Sequence, residues 1–179
     1  MLISGEGNDQ YVAGKYAQGT SAHFGVGILL DRGGNDKYKV AQELGIGHGH
    51  DYGIGFVIED AGDDVYETPL LSLGCATAQG RGFFWDRSGD DHYTTPSTNS
   101  LGCADYRIID EKTFRRRDKT IGLFLDTGGK NKFVTEIDGP NKVTTSGKWH
   151  GVYVGGEIVT KNLIGAGLVT NAPKTQDPE

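Results

Sequence analysis

The sequence predicts an all-β chain wound as a parallel β-solenoid of about five coils, and three observations predict it. Glycine supplies 29 of the 179 residues and proline only five, about twice the usual glycine share without the proline of collagen-like or disordered chains. One octet recurs at a nearly constant interval, the mark of a repeat architecture. Ahead of each octet stands a glycine followed by three apolar residues, which reads as a short strand.

The octet is clearest as Asp31-Arg32-Gly33-Gly34-Asn35-Asp36-Lys37-Tyr38, Glu59-Asp60-Ala61-Gly62-Asp63-Asp64-Val65-Tyr66 and Asp86-Arg87-Ser88-Gly89-Asp90-Asp91-His92-Tyr93. Weaker copies run from Ser4 to Tyr11 and from Asp126 to Phe133. The closing aromatics Tyr11, Tyr38, Tyr66, Tyr93 and Phe133 are 27, 28, 27 and 40 residues apart. The surplus in the last step is a charged stretch over 105–117, read as an inserted loop. The strand triplets follow Gly27, Gly55, Gly82 and Gly122, with Gly151-Val152-Tyr153-Val154 as a fifth. No sustained i, i+3, i+4 apolar pattern argues for helix. A unit of 27–28 residues suits one coil of three short strands and their turns. The solenoid is placed at 1–160, with a C-terminal segment at 161–179. In that segment Leu163 to Val169 is apolar enough to cover a sheet face.

Residues one period apart then stack on adjacent rungs about 4.8 Å apart, so the repeat makes columns. Tyr11, Tyr38, Tyr66, Tyr93 and Phe133 form an aromatic ladder, read as packing. Asp31, Glu59, Asp86 and Asp126 form an acidic column, and Asp9, Asp36, Asp64, Asp91 and Asn131 another. Like charges at this spacing repel by about 1 kcal/mol per pair even in water. Two remedies are open: backbone amides of the glycine turns, or a cation, for which oxygen ligands favour calcium. Asp31, Asp36, Glu59, Asp64, Asp86 and Asp91 are the candidate calcium ligands. In the triplets, Ile28, Phe56, Phe83 and Leu123 flank a column of Leu29, Val57, Phe84 and Phe124. Strand residues alternate, so one set must face outward as a partner surface unless the tail covers it.

On period, glycine spacing and columns, the chain resembles the right-handed parallel β-helix of pectate lyases and many bacterial surface proteins. The Gly-Gly-Asn-Asp turn also resembles part of the RTX calcium loop. These resemblances imply a secreted or surface setting, calcium in the turns, and either a scaffold or an enzyme acting on acidic polysaccharide.

One cluster carries other chemistry. His48, Cys75 and Cys103 occupy one column, with His50, Thr77 and Asp105 two residues further on. An imidazole and two thiols resemble a zinc set in kind, or a nucleophile and its base. The same parity carries Leu44, Ile46, Leu71, Leu73 and Leu101, which favours a packed interior face, and rung spacing would also allow a Cys75–Cys103 disulfide in an oxidising compartment. A net charge of −6 argues against a phosphate-binding groove, and so against nucleic acid. No apolar run reaches the about 18 residues of a membrane span, and no leader precedes the first octet. The expected function is a non-catalytic scaffold or binding module, stiffened by calcium, with zinc the lesser metal. Its expected partners are another copy, end to end or otherwise, or a carbohydrate. A polysaccharide-acting β-helix enzyme and a metal or thiol site at His48, Cys75 and Cys103 are the rivals.

Overall fold

The computed structural model describes residues 1–96, 100–105, 118–135, 147–149 and 163–169. Each coil has three sides. The long side is built by β1 (Leu2–Ile3), β3 (Val26–Asp31), β6 (Ile54–Glu59), β9 (Arg81–Asp86), β12 (Thr120–Asp126) and β15 (Leu163–Val169), which pair in parallel in that order. The second side is β2 (Gln10–Ala13), β4 (Lys37–Val40), β7 (Val65–Glu67), β10 (His92–Thr95) and β13 (Lys132–Thr135), also parallel. The third side is short: β5 (Gly49–His50), β8 (Ala76–Thr77) and β11 (Ala104–Asp105). No α-helix occurs among the described residues.

The turns that give the octet its sequence also set the register. Tyr11, Tyr38, Tyr66, Tyr93 and Phe133 are direct strand partners, as are Asp31, Glu59, Asp86 and Asp126. At the centre of each turn the chain stacks so tightly that a side chain is excluded. A Cβ on Gly34 would lie 1.7 Å from the carbonyl oxygen of Gly7, and one on Gly62 would lie 1.5 Å from that of Gly34. The glycine before each triplet has a different reason. It faces inward on the long strand, where Cβ atoms on Gly55 and Gly82 would strike the carbonyls of His48 and Cys75 at 2.3 and 1.9 Å. That corner of the coil is closed backbone against backbone.

Alternation along the long strands settles which column is inside. Leu29, Val57, Phe84 and Phe124 are buried and fill the core with the tyrosine ladder, whose rings stack at centroid separations of 4.7 to 4.9 Å. Ile28, Phe56, Phe83 and Leu123 point outward.

Three expectations change. Among the described residues, complete turns number about three rather than five, because only β5, β8 and β11 close the third side there, while Ser21 makes a single bridge to Gly49. Leu44, Ile46, Leu71 and Leu73 do not alternate along a strand; each sits at positive φ, between 34° and 67°. Their side chains still turn inward, so the chain rounds this corner through left-handed residues that are not glycine, at a cost of about 1 kcal/mol or more each. Finally, Leu163–Val169 does not lie over a face; it pairs with β12 as a further parallel rung, and β14 (Gly147–Trp149) runs antiparallel along its other edge. Most of the 105–117 insertion and the Gly151 triplet lie outside the described residues.

Candidate functional site

The paired polar residues of each turn staple the coils in both directions. The second of the pair accepts an amide from the preceding coil: Asp36 Oδ1 from the Asp9 N–H at 2.6 Å, Asp64 from Asp36 at 2.7 Å, Asp91 from Asp64 at 2.9 Å and Asn131 from Asp91 at 2.8 Å. The first of the pair accepts from the following coil: Asn8 from Asn35, Asn35 from Asp63, Asp63 from Asp90 and Asp90 from Lys130, at 2.8 or 2.9 Å. These side chains therefore cap their neighbours' turns. Capping within a turn is left to the other acidic column, where the Gly33 amide reaches Asp31 Oδ1 at 3.2 Å.

That second column faces the tyrosines. Tyr11 and Tyr38 donate short hydrogen bonds to Asp31 and Glu59; Tyr66 and Tyr93 both donate to Asp86 Oδ2 at 2.9 Å. The ladder is thus a file of phenol donors as well as a packing device. Where Phe133 lacks the hydroxyl, Asn131 supplies the donor, its Nδ2 lying 2.5 Å from Asp126 Oδ1. One substitution removes a charge from the file and replaces the missing phenol.

The file is almost dry. Asp31, Asp36, Glu59, Asp64, Asp86, Asp91 and Asp126 are all 0–1% exposed. Burial, with the neighbouring carboxylates adding to it, holds the carboxyls of Glu59 and Asp64 up near 9 and 8. Desolvation raises Asp86, Asp91 and Asp126 in the same direction. Several oxygens have no hydrogen-bond partner: Asp36 Oδ2, Glu59 Oε1, Asp86 Oδ1, Asp91 Oδ2 and Asp126 Oδ2. The Ser88 amide comes near enough to Asp86 to favour its charged form, but not within hydrogen-bonding geometry of Oδ1. Two trios bring ligand oxygens within 4.8 Å of one another: Asp9, Asp31 and Asp36, and Asp64, Asp86 and Asp91. Of the six expected calcium ligands, five fall in these trios; Glu59 does not. Asp9 joins instead.

His48, Cys75 and Cys103 do stack in one buried column, one residue ahead of the β5, β8 and β11 partners. As a set their donor atoms do not close to within 4.8 Å of one another, unlike the acidic trios. Cys75 Sγ accepts the Cys103 amide at 3.1 Å, repeating with a thiol what the turn aspartates do with carboxylates. Neither cysteine forms a disulfide. His48 shares the Thr77 hydroxyl with His50, at 3.0 and 2.6 Å. Burial first, then the neighbouring His50, pushes His48 down to about 3, so it is neutral at ordinary pH.

Outside, the long side presents Val26, Ile28 and Leu30, then Ile54, Phe56 and Ile58, then Arg81, Phe83 and Trp85, then Ile121, Leu123 and Leu125. Phe56 and Phe83 stack at 4.6 Å. No described strand packs on this face. The second side is polar, with an exposed Lys39–Glu67 ion pair at 2.7 Å beside a shallow depression lined by Thr68, Thr94, Thr95 and Pro96. Arg87 and Asp60 of successive turns form a surface ion pair at 2.9 Å.

The fold and these columns define a β-solenoid. Comparison of the chain with protein-family models, with curated proteins and with solved structures gives no match in any of the three.

Proposed function

We propose that the chain is a non-catalytic solenoid scaffold that associates through the outer face of its long side, with a second copy as the partner. The observation that carries this reading is that face: eleven of its twelve outward positions over four successive rungs are apolar, and only Arg81 is charged. Its side chains shield one another but meet no described strand. The four rungs span about 19 Å by 20 Å at ordinary rung and residue spacings. That is about 400 Å² per copy and about 800 Å² for a pair, below the size of stable specific interfaces. Association of this kind is weak and concentration-dependent.

The polysaccharide-enzyme reading needs acids lining a groove. Here Asp31, Asp36, Glu59, Asp64, Asp86, Asp91 and Asp126 are interior, out of reach of a polymer, and the exposed Asp63 and Asp90 accept amides of the following coil. The depression on the second side is lined by threonines, prolines and an ion pair, without aromatic rings on which a sugar stacks.

The test is sedimentation equilibrium of the chain from micromolar to millimolar concentration, beside a Phe56→Ser/Phe83→Ser double variant. Both side chains point outward, so the coil should survive the change. The reading requires reversible dimerisation of the wild type and its loss in the variant. A wild type that stays monomeric throughout, or a variant that dimerises equally, would overturn it.

A further inference from the structure

We infer that the interior of the coil binds calcium, at a site formed by Asp64, Asp86 and Asp91, with a second site at Asp9, Asp31 and Asp36. This goes beyond the scaffold reading and does not depend on how copies associate.

The first argument is geometric. In each trio the acid of the long strand lies between two turn aspartates of successive rungs, and one oxygen from each comes within 4.8 Å of the others. That is the spread of oxygens around an ion held at about 2.4 Å, the calcium distance. Asp64 Oδ1, Asp91 Oδ1 and Asp86 Oδ2 already accept protein hydrogen bonds, so each carboxylate turns its second oxygen to the ion; these are hard donors, with no sulfur or imidazole among them.

The second argument is what the oxygens lack. Asp86 and Asp91 are 0% and 1% exposed, yet Asp86 Oδ1 and Asp91 Oδ2 have no hydrogen-bond partner, and Asp36 Oδ2 repeats this in the other trio. Buried polar atoms without partners are uncommon in native proteins and point to an unseen water or ion. No basic side chain answers these acids: the ion pairs among the described residues are His23–Asp51, Lys39–Glu67 and Arg87–Asp60, all on other residues.

The third argument is the pattern of interruption. The rung between the trios carries Glu59 instead of aspartate, and Glu59 joins no trio. The rung after them carries Asn131, which gives its amide to Asp126. Divalent ions would thus lie two rungs apart, about 9.6 Å instead of about 4.8 Å, which halves their mutual repulsion. Because the Asp64, Asp86 and Asp91 site is closed to solvent, its ion enters as the coil forms and its binding is coupled to folding, while the site at half-buried Asp9 lies nearer the surface.

The experiment refolds the full chain from urea in chelator-treated buffer alone, or with calcium, magnesium or zinc. Native mass spectrometry counts bound ions and a thermal melt follows stability. Asp91→Asn and Asp36→Asn are the variants. Each keeps the Oδ1 that accepts a neighbouring amide, and asparagine already stands in this column at Asn131. The expected result is two calcium ions on the wild type, one on each single variant and none on the double. The calcium-induced rise in melting temperature should be halved by each single variant and lost in the double. Equal melting in chelator and calcium, with no ion bound, would overturn the proposal and leave protons as what neutralises the acids. So would a response to zinc alone, or a calcium response unchanged in the double variant.

Discussion

Replacing Gly62 by alanine tests how the coils are stacked. Gly62 has φ +148°, and a Cβ there would lie 1.5 Å from the Gly34 carbonyl oxygen, where real Cβ contacts stop near 3.0 Å. The two coils must therefore separate locally by at least the difference, 3.0 − 1.5 = 1.5 Å. Such a shift breaks the hydrogen bonds that cross the gap: Gly34 N–H to the Ala61 carbonyl at 3.0 Å, Asp63 N–H to Asn35 at 2.9 Å and Asp36 N–H to Asp64 at 2.7 Å. At about 1 kcal/mol each, with about 1–3 kcal/mol for an alanine at this φ, the loss is about 4–6 kcal/mol. Gly14 is the control. It is exposed, has nothing within 4 Å of its would-be Cβ and lacks a positive φ, so Gly14→Ala should gain about 0.4–1 kcal/mol by restricting the unfolded chain. Urea denaturation read by circular dichroism gives both values. A Gly62→Ala chain within about 1 kcal/mol of wild type would refute this stacking of the octet turns, since a substitution blocked by backbone belongs among the costly ones.

Three further outcomes follow from the interior. Phe84→Ala should cost about 3–5 kcal/mol, because Phe84 is fully buried between the ring of Phe124 at 5.1 Å and the edge of Tyr66 at 5.2 Å; chemical denaturation checks it. His48 has a folded pKa near 3, below its unfolded value of about 6.5, so the unfolded chain takes up the extra proton and stability falls as pH drops below about 6.5. Between pH 6.5 and 5 that loss is about 2 kcal/mol, and it should disappear from the stability–pH slope of His48→Gln when the two chains are compared directly. Cys75→Ala should cost about 1–2 kcal/mol for the acceptor of the Cys103 amide, and zinc should leave the melting point of either chain unchanged, which a zinc-induced rise confined to the wild type would contradict.

The columns were legible in the sequence because glycine and tyrosine hold fixed places in every octet. Once the coils stack tightly enough to exclude a Cβ at Gly34 and Gly62, no other register is open, and the strand partners fall where the period puts them. The direction of the polar bonds was not legible. Nothing in the pair Asn35-Asp36 says that its two side chains reach opposite neighbours. A signal for the tyrosine hydroxyls was present all the same: four of five copies end in tyrosine, and asparagine replaces aspartate only in the copy that ends in phenylalanine. The third side was misread for a physical reason. Leu44, Ile46, Leu71 and Leu73 are spaced like inward strand residues, but they reach the interior from left-handed turns that propensity disfavours outside glycine. The His48, Cys75 and Cys103 column was found correctly as a column; proximity in register did not bring its donor atoms together.

The buried acid–tyrosine file is the centre of this structure, and a spectrophotometric titration of the tyrosines reads it most directly. Burial, reinforced by the facing carboxylates, raises the phenols of Tyr38, Tyr66 and Tyr93 far above their ordinary value near 10. Of the eight tyrosines, these three should stay protonated in alkaline solution for as long as circular dichroism shows the coil folded, and should ionise together when it unfolds. If all eight ionise near pH 10 while the chain remains folded, the hydroxyls do not point into the acidic file and the interior described here is wrong.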